Sequence, residues 1–131
     1  MRTSELYEAQ LRIALSEFPD FVVRGEISRL PSGEALKLRL FLSDDSFVET
    51  RSTPTGRYSF HWERRLAGRS DIYRFDNAPH NRWKDVETFP HHFHDGRDEQ
   101  VEASRLSDDA INAFRQVLQF VRDKLRSESR G

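Results

Sequence analysis

Apolar residues near the start of the chain recur every three or four positions, which is the spacing of one face of an α-helix. This stripe begins at Leu6 and runs to Phe18. Thr3 or Ser4 can cap the N-terminus, because a hydroxyl oxygen accepts a hydrogen bond from a free backbone N–H of the first turn. Pro19 disfavours helical geometry in the residue before it. The pattern therefore predicts an N-terminal helix that ends near residue 18.

The hydrophobic period then changes to two, which is typical of half-buried β-strands. Short turn sequences rich in Pro, Gly, Ser and Asp separate the alternating runs. Turns of three or four residues cannot make the crossover that a parallel pair requires, so neighbouring strands must pair antiparallel. The five predicted strands span residues 21–30, 36–42, 47–53, 58–63 and 71–77.

The last third of the chain combines an aperiodic segment with a second helical pattern. Residues 78–93 show no strand or helix period and are predicted to form a long loop, a kind of segment that is usually functional or disordered. Residues 100–106 resemble a short sixth strand. Ser107 is predicted to cap a long C-terminal helix. The buried stripe of that helix consists of Ile111, Phe114, Val117, Leu118, Val121 and Leu125.

These elements predict an α+β fold. We expect an antiparallel β-meander of about five to six strands, with the N-terminal helix and the long C-terminal helix packed on it. The chain has 131 residues and no internal break in composition. At that length one hydrophobic core is the usual arrangement, so we expect a single domain over residues 1–131.

The amino-acid composition excludes several classes of function. The chain has no cysteine, which excludes disulfides, thiolate metal sites and a cysteine nucleophile. Its net charge of -1 is not that of a dedicated nucleic-acid-binding protein. No signal-peptide pattern follows Met1, and no apolar run reaches the length of a membrane span. We therefore expect a cytoplasmic protein without membrane association.

The residues that could carry chemistry are concentrated between His61 and His94. All five histidines lie in this interval, and Asp76 ends the fifth predicted strand. If the later segment is extended, His92 and His94 share one face and His91 points to the other, because side chains alternate along extended backbone. The candidate catalytic residues are Asp76, His61, His80, His91, His92 and His94.

Three interpretations of these residues remain open. In the first, two histidines act as general acid and base on an RNA phosphodiester, since imidazole changes charge near neutral pH. Arg57, Arg74 or Arg82 would then bind the phosphate. In the second, a divalent metal is held by imidazole and carboxylate ligands. The candidate metal ligands are Asp76, His80, His92 and His94. In the third, the same side chains only hydrogen-bond the loop.

The same residues carry a resemblance to a known family. Three motifs carry it: Tyr58-x-Phe60-His61-Trp62, Arg74-x-Asp76-Asn77-Ala78-Pro79-His80 and Thr88-Phe89-Pro90-His91-His92-x-His94. Over roughly residues 58–96 the chain thereby resembles TumE-type toxins of prokaryotic toxin–antitoxin modules. Asn81 and Phe93 stand where relatives often carry a histidine and a basic residue.

The resemblance implies a toxin that a cognate, DNA-binding antitoxin masks. Small toxins of such modules commonly act on RNA or translation, so RNA cleavage is the leading hypothesis. His80 and His91 are predicted to be acid and base in either order, with Asp76 orienting one imidazole. No cofactor is expected, although a divalent metal fits the second interpretation. The alternative is a non-enzymatic interaction or metal-binding module with structural histidines.

Overall fold

A computed structural model of the chain describes residues 2–129 and consists of one sheet with two long helices. All seven strands pair antiparallel in the order β1-β2-β3-β4-β5-β6-β7, so each strand lies beside its neighbours in sequence. Short 3-10 turns follow β4 (Arg65–Ala67) and β5 (Asn81–Trp83). The helices and strands are α1 Thr3–Glu17, β1 Val22–Arg29, β2 Ala35–Leu42, β3 Phe47–Ser52, β4 Tyr58–Glu63, β5 Ile72–Asp76, β6 His92–Gly96, β7 Val101–Ala103 and α2 Ala110–Ser129.

One face of the sheet packs against both helices and forms the hydrophobic core. Alternate residues of β2 to β5 supply this face, as period-two patterning requires. The stripe of α2 that covers it is buried, and Phe120 stacks edge-on against Tyr73 and Phe75. The buried core includes Leu38, Leu40, Val48, Phe60, Trp62, Tyr73, Phe75, Phe114, Val117, Leu118 and Val121.

The opposite face of the sheet is mainly polar, and we call it the polar face. Its side chains alternate with the core residues along the same strands, so the sequence that builds the core also fixes which groups face away from the helices. The polar face includes Lys37, Arg39, Glu49, Arg51, Ser59, His61, Glu63, Arg74, Asp76, His92 and His94.

Helix α1 is attached to the sheet by Tyr7. The Tyr7 hydroxyl donates a hydrogen bond to the carbonyl oxygen of Leu36 (3.0 Å) and accepts one from the N–H of Ser52 (2.8 Å). These two backbone groups lie just beyond Leu38 and Thr50, where the β2–β3 register ends. The phenol therefore satisfies polar groups that the sheet ladder leaves unpaired.

The structure confirms the α+β class and the antiparallel meander, but it corrects the number of strands. The prediction of five to six strands is wrong by one, because β6 begins at His92, inside the predicted loop 78–93. His92 and His94 lie on the polar face of this five-residue strand, and Phe93 is its only apolar residue. A single apolar residue is too short a pattern for alternation to identify a strand.

Two predicted helix caps also differ from the structure. Helix α1 begins at Thr3 with Arg2 at the N-cap, so neither Thr3 nor Ser4 caps it. At the second helix, Asp109 takes the capping role, because its Oδ1 accepts hydrogen bonds from the N–H groups of Ile111 and Asn112. Ser107 instead accepts a bond from the N–H of Asp109.

Neither helix within residues 2–129 is long and apolar enough to span a membrane.

Candidate functional site

Antiparallel pairing of β4, β5 and β6 brings the candidate residues into one area of the polar face. Arg74 lies opposite His61 on one side and His94 on the other. Asp76 lies opposite His92. All of these residues are separated by even numbers of positions along their strands, so they share one face. The register thus assembles a site from three separate segments of the chain.

Asp76, His92 and His94 form a buried cluster. Oδ1 of Asp76 lies 3.0 Å from Nε2 of His92, and Oδ2 lies 3.9 Å from Nε2 of His94. The three residues are 8%, 2% and 4% exposed. Burial of ionisable groups is costly unless they are compensated by a partner, a proton or a metal ion. Hydrophobic packing alone therefore does not account for the burial of these three side chains.

Backbone carbonyl groups fix both imidazoles of the cluster. Nδ1 of His92 lies 2.9 Å from the carbonyl oxygen of Pro90, and Nδ1 of His94 lies 2.8 Å from that of Asp98. A carbonyl oxygen can only accept, so each Nδ1 must carry the proton and donate it. In the neutral form, each ring therefore has its unprotonated Nε2 on the side of Asp76.

Burial also disfavours the charged form of His94. Desolvation lowers the pKa of this imidazole, and the neighbouring His92 lowers it further. Hydrogen bonding to the carbonyl of Asp98 opposes the shift, as a contact with the charged form should. His94 is consequently a neutral imidazole at physiological pH, with Nε2 free to act as a base or as a ligand.

A third histidine, His61, lies beside the cluster with both ring nitrogens engaged. Nδ1 accepts a hydrogen bond from Nε of Arg74 (3.1 Å), and Nε2 lies 3.1 Å from a carboxylate oxygen of Glu63. Burial lowers the pKa of His61. Hydrogen bonds from the side chain of Arg65 lower the pKa of Glu63 to about 2. The result is a neutral imidazole that donates to an ionised carboxylate and orients Arg74.

Asp76, Arg74 and His61 border an open cavity of about 540 Å³ on the polar face. Four arginines and three carboxylates line this cavity. Whether an anionic ligand can bind therefore depends on which arginines are not already paired with a carboxylate, more than on the net charge of the lining. Arg39 and Arg51 lie within ion-pair distance of Glu49. Within residues 2–129, Arg57 and Arg74 have no carboxylate within 4.0 Å. These two guanidinium groups are therefore the ones available to an anionic ligand.

Trp83 covers the cluster on the side of the loop. Its ring centroid lies 5.7 Å from that of His94 and 6.3 Å from that of His92. Thr88 anchors the loop: its hydroxyl donates to the carbonyl of His91 (2.6 Å) and accepts from the N–H of Ser104 (2.8 Å). The segment that the sequence predicted as a loop therefore packs over the histidines.

His80 and Arg82 lie in this loop, outside the cluster. His80 is exposed, and its Nδ1 accepts a hydrogen bond from the N–H of Arg82, which caps the 3-10 turn Asn81–Trp83. Arg82 lies over the ring of Trp83, with 4.8 Å between the guanidinium carbon and the ring centroid. The ring of His80 also lies beside Trp83, so both residues neighbour the tryptophan that covers the cluster.

His91 lies on the other face of the sheet. Its Nδ1 is 3.0 Å from the hydroxyl of Tyr58, and the two rings stack. Tyr58 packs against the core residue Phe60, so His91 contacts the helix side of the sheet. The structure therefore separates His91 from Asp76. The predicted acid–base pair of His80 and His91 is not brought together by any hydrogen bond of the described residues.

Sequence reasoning missed two residues of this site. Glu63 lies two positions after His61 on the same strand, and this period-two spacing would have placed them on one face. Trp83 lies in the predicted loop 78–93, and no local pattern indicates which residues it covers. Asn77, by contrast, does what an Asx residue in a turn commonly does: it accepts from the N–H of Tyr58 and donates to the carbonyl of Gly56.

Comparison with known proteins agrees with the motifs of the site. No curated protein and no solved structure matches the chain. The profile of a family described as "Toxin TumE" matches residues 11–125, which is most of the chain and includes every residue of the cluster and the cavity. The chain therefore belongs to the TumE toxin family.

Proposed function

We propose that this protein is the toxin of a toxin–antitoxin module and that it cleaves RNA at the Asp76–His92–His94 cluster. The observation that carries the proposal is the convergence of three buried ionisable groups at the edge of a cavity that offers two free arginines. Buried ionisable side chains beside a cavity are the usual signature of a reactive site. Membership of a toxin family supports the cellular role.

The cavity favours a phosphate-bearing substrate. Arg74 and Arg57 are free of carboxylate partners within the described part of the chain, and guanidinium groups bind phosphate oxygens through paired hydrogen bonds. His61 holds Nε of Arg74 and leaves its terminal nitrogens for a ligand. An open cavity on a sheet face suits a single-stranded segment better than a duplex, because single strands can follow an irregular surface.

RNA supplies its own nucleophile. In the proposed reaction the 2′-oxygen attacks the adjacent phosphorus and the bond from phosphorus to the 5′-oxygen breaks, which leaves a 2′,3′-cyclic phosphate and a 5′-hydroxyl. One proton leaves the 2′-hydroxyl and one is delivered to the departing 5′-oxygen. The Asp76–His92–His94 cluster is the reacting centre, and Arg74 and Arg57 neutralise charge that develops on the phosphoryl oxygens.

The proposed partner is a cognate antitoxin encoded with the toxin. A DNA-binding antitoxin that masks the cavity would bring four arginines of its rim into an interface. Acidic side chains are the chemistry that would recognise such a rim.

Induced expression in a bacterial host tests the proposal. Asp76→Asn keeps the size of the side chain and an oxygen that can accept from the N–H of Ala78, but removes the charge. We expect wild-type expression to arrest growth and Asp76→Asn to restore it at equal protein level. Asp95→Asn is the matched control, because Asp95 follows His94 on β6 and faces away from the cluster. Growth arrest by Asp76→Asn equal to that of the wild type would refute the site.

A further inference from the structure

We propose that Asp76, His92 and His94 bind one divalent transition-metal ion. The three side chains each offer a ligand atom, and these atoms lie within 4.8 Å of one another in a buried position. Two imidazole nitrogens and one carboxylate are a ligand set that zinc, cobalt, manganese and iron accept. This inference rests on the proposed RNA-cleaving site and adds a metal cofactor to it. Metal binding can nevertheless be measured in the absence of RNA.

The orientation of the two rings supports a metal ion more than a hydrogen-bonded network. Metal-binding histidines usually donate their other ring N–H to a carboxylate or a backbone carbonyl, which fixes the ring and its tautomer. His92 and His94 both do so, through Pro90 and Asp98 respectively. Two histidines two residues apart thus present Nε2 to the same place, each held by a separate carbonyl.

The carboxylate is held in the same manner. Oδ1 of Asp76 accepts a hydrogen bond of 3.0 Å from the N–H of Ala78. Ligating carboxylates are themselves usually hydrogen-bonded, because this fixes the oxygen that faces the metal. All three donors of the cluster are therefore positioned by backbone groups, and none depends on a mobile surface side chain.

The cluster as it stands places electron-rich atoms together. Nε2 of His92 and Nε2 of His94 both face the carboxylate of Asp76, in a region from which water is largely excluded. The 3.9 Å between His94 and Asp76 exceeds hydrogen-bond distance. A divalent cation among the three groups would bind each lone pair and offset the burial of the carboxylate charge.

The spacing and the surroundings leave room for further ligands. Ligand atoms around a tetrahedral zinc ion lie about 3.4 Å apart, given zinc–ligand bonds of about 2.1 Å. Nε2 of His92 lies 3.0 Å from Oδ1 of Asp76, Nε2 of His94 lies 3.9 Å from Oδ2, and one ligand atom from each of the three side chains lies within 4.8 Å of the other two, so small side-chain adjustments would reach this value. Trp83 covers the cluster from the loop, whereas Asp76 borders the cavity. Open coordination positions would therefore face the cavity, where a phosphoryl oxygen or water could bind.

Titration with Co²⁺ tests this inference, because Co²⁺ reports its coordination by visible absorption. We expect chelator-treated, full-length protein to bind one Co²⁺ per chain, to gain a visible band, and to show quenched Trp83 fluorescence and a higher Tm. Asp76→Asn should lower the affinity by at least about tenfold, whereas Asp95→Asn should match the wild type. In Trp83→Phe the absorption should persist while the quenching declines. Zn²⁺ should displace Co²⁺.

Two further controls make the outcome decisive. Circular dichroism of metal-free Asp76→Asn establishes whether the variant folds; if it does not, His94→Gln takes its place with the same expected loss. Absence of saturable Co²⁺ binding by folded wild type, or equal binding by the folded variants, would overturn the inference. Binding without RNA cleavage would overturn the proposed function alone, and cleavage by metal-free protein would overturn the metal's part in it.

Discussion

Arg74 donates a hydrogen bond from Nε to Nδ1 of His61 across the β4–β5 pair, at 3.1 Å. Because Nδ1 accepts, the proton of the neutral ring lies on Nε2 and is directed to Glu63. This arrangement fixes the tautomer of His61 and the direction of the Arg74 side chain together. It explains how an arginine can lie beside Asp76 and remain available to an external anion.

The free arginines give the first prediction. Arg57→Ala and Arg74→Ala should each weaken the binding of a short single-stranded RNA by about tenfold and reduce the salt dependence of log Kd by about 0.7, the contribution of one phosphate contact. Fluorescence anisotropy at several salt concentrations, in the Asp76→Asn background, measures both effects. Arg12→Ala, an exposed change on α1, should leave the affinity unchanged. An undiminished salt slope in both cavity variants would contradict phosphate binding there.

Glu63 predicts acid sensitivity. Its folded-state pKa of about 2 lies below its ordinary value of 4.5, so the ionised carboxylate stabilises the fold above about pH 4.5. This stabilisation is lost as the pH falls toward 2. The main partner, Arg65, is largely exposed, so solvent screening reduces the contribution to about 1–2 kcal/mol. Urea denaturation should show wild type more stable than Glu63→Gln at pH 7 and nearly equal to it near pH 2. A pH-independent difference would argue against this assignment.

Arg64 gives a prediction about stability alone. This guanidinium is 2% exposed, lies over Trp62 and pairs with Asp71 (3.0 Å) and Glu128 (2.6 Å), which ties α2 to the sheet. Arg64→Ala should lower the free energy of unfolding by about 3 kcal/mol, because it removes the partner of two carboxylates. Arg69→Ala is the control, since this exposed arginine contacts the same carboxylates and should cost less than about 1 kcal/mol. Equal losses in urea denaturation would be inconsistent with the burial of Arg64.

Tyr7→Phe should separate the role of the hydroxyl from that of the ring. The ring stays in the core, but the carbonyl of Leu36 and the N–H of Ser52 lose their partner. An unsatisfied buried polar group costs about 1–3 kcal/mol, so the urea midpoint should fall with little change in the slope of the transition. Hydrogen exchange should accelerate at Ser52. If the midpoint is unchanged, water replaces the hydroxyl and the bridge does not hold α1 in place.

The sequence predicts the elements of this fold that have a clear hydrophobic period. The first five strands and both helices occupy nearly the predicted ranges, because apolar residues recur about every second position in the strands and every third or fourth position in the helices. Strand β6 was missed because it is short and only Phe93 marks its core side, while His92 and His94 lie on the polar face beneath Trp83.

The sequence identified candidate residues for the site but not the geometry in which they meet. The sequence indicated that Asp76 and the histidines belong together, and alternation separated His91 from His92 and His94. It could not supply the β5–β6 register, because β6 has a single apolar residue and the loop before it has no period from which the pairing could be predicted. Without that register, His80 and His91 were as plausible an acid–base pair as the residues that pair across β5 and β6.

The most direct test is incubation of the purified wild type with total RNA, beside Asp76→Asn and a His80→Ala, His91→Ala double variant, each with and without EDTA. The account predicts cleavage by the wild type and by the double variant, loss of cleavage in folded Asp76→Asn, and loss of cleavage in EDTA. Absence of cleavage by folded wild-type protein, or cleavage by Asp76→Asn at the wild-type rate, would contradict it. Cleavage that requires His80 and His91 but not Asp76 would return the reacting centre to the pair predicted from the sequence.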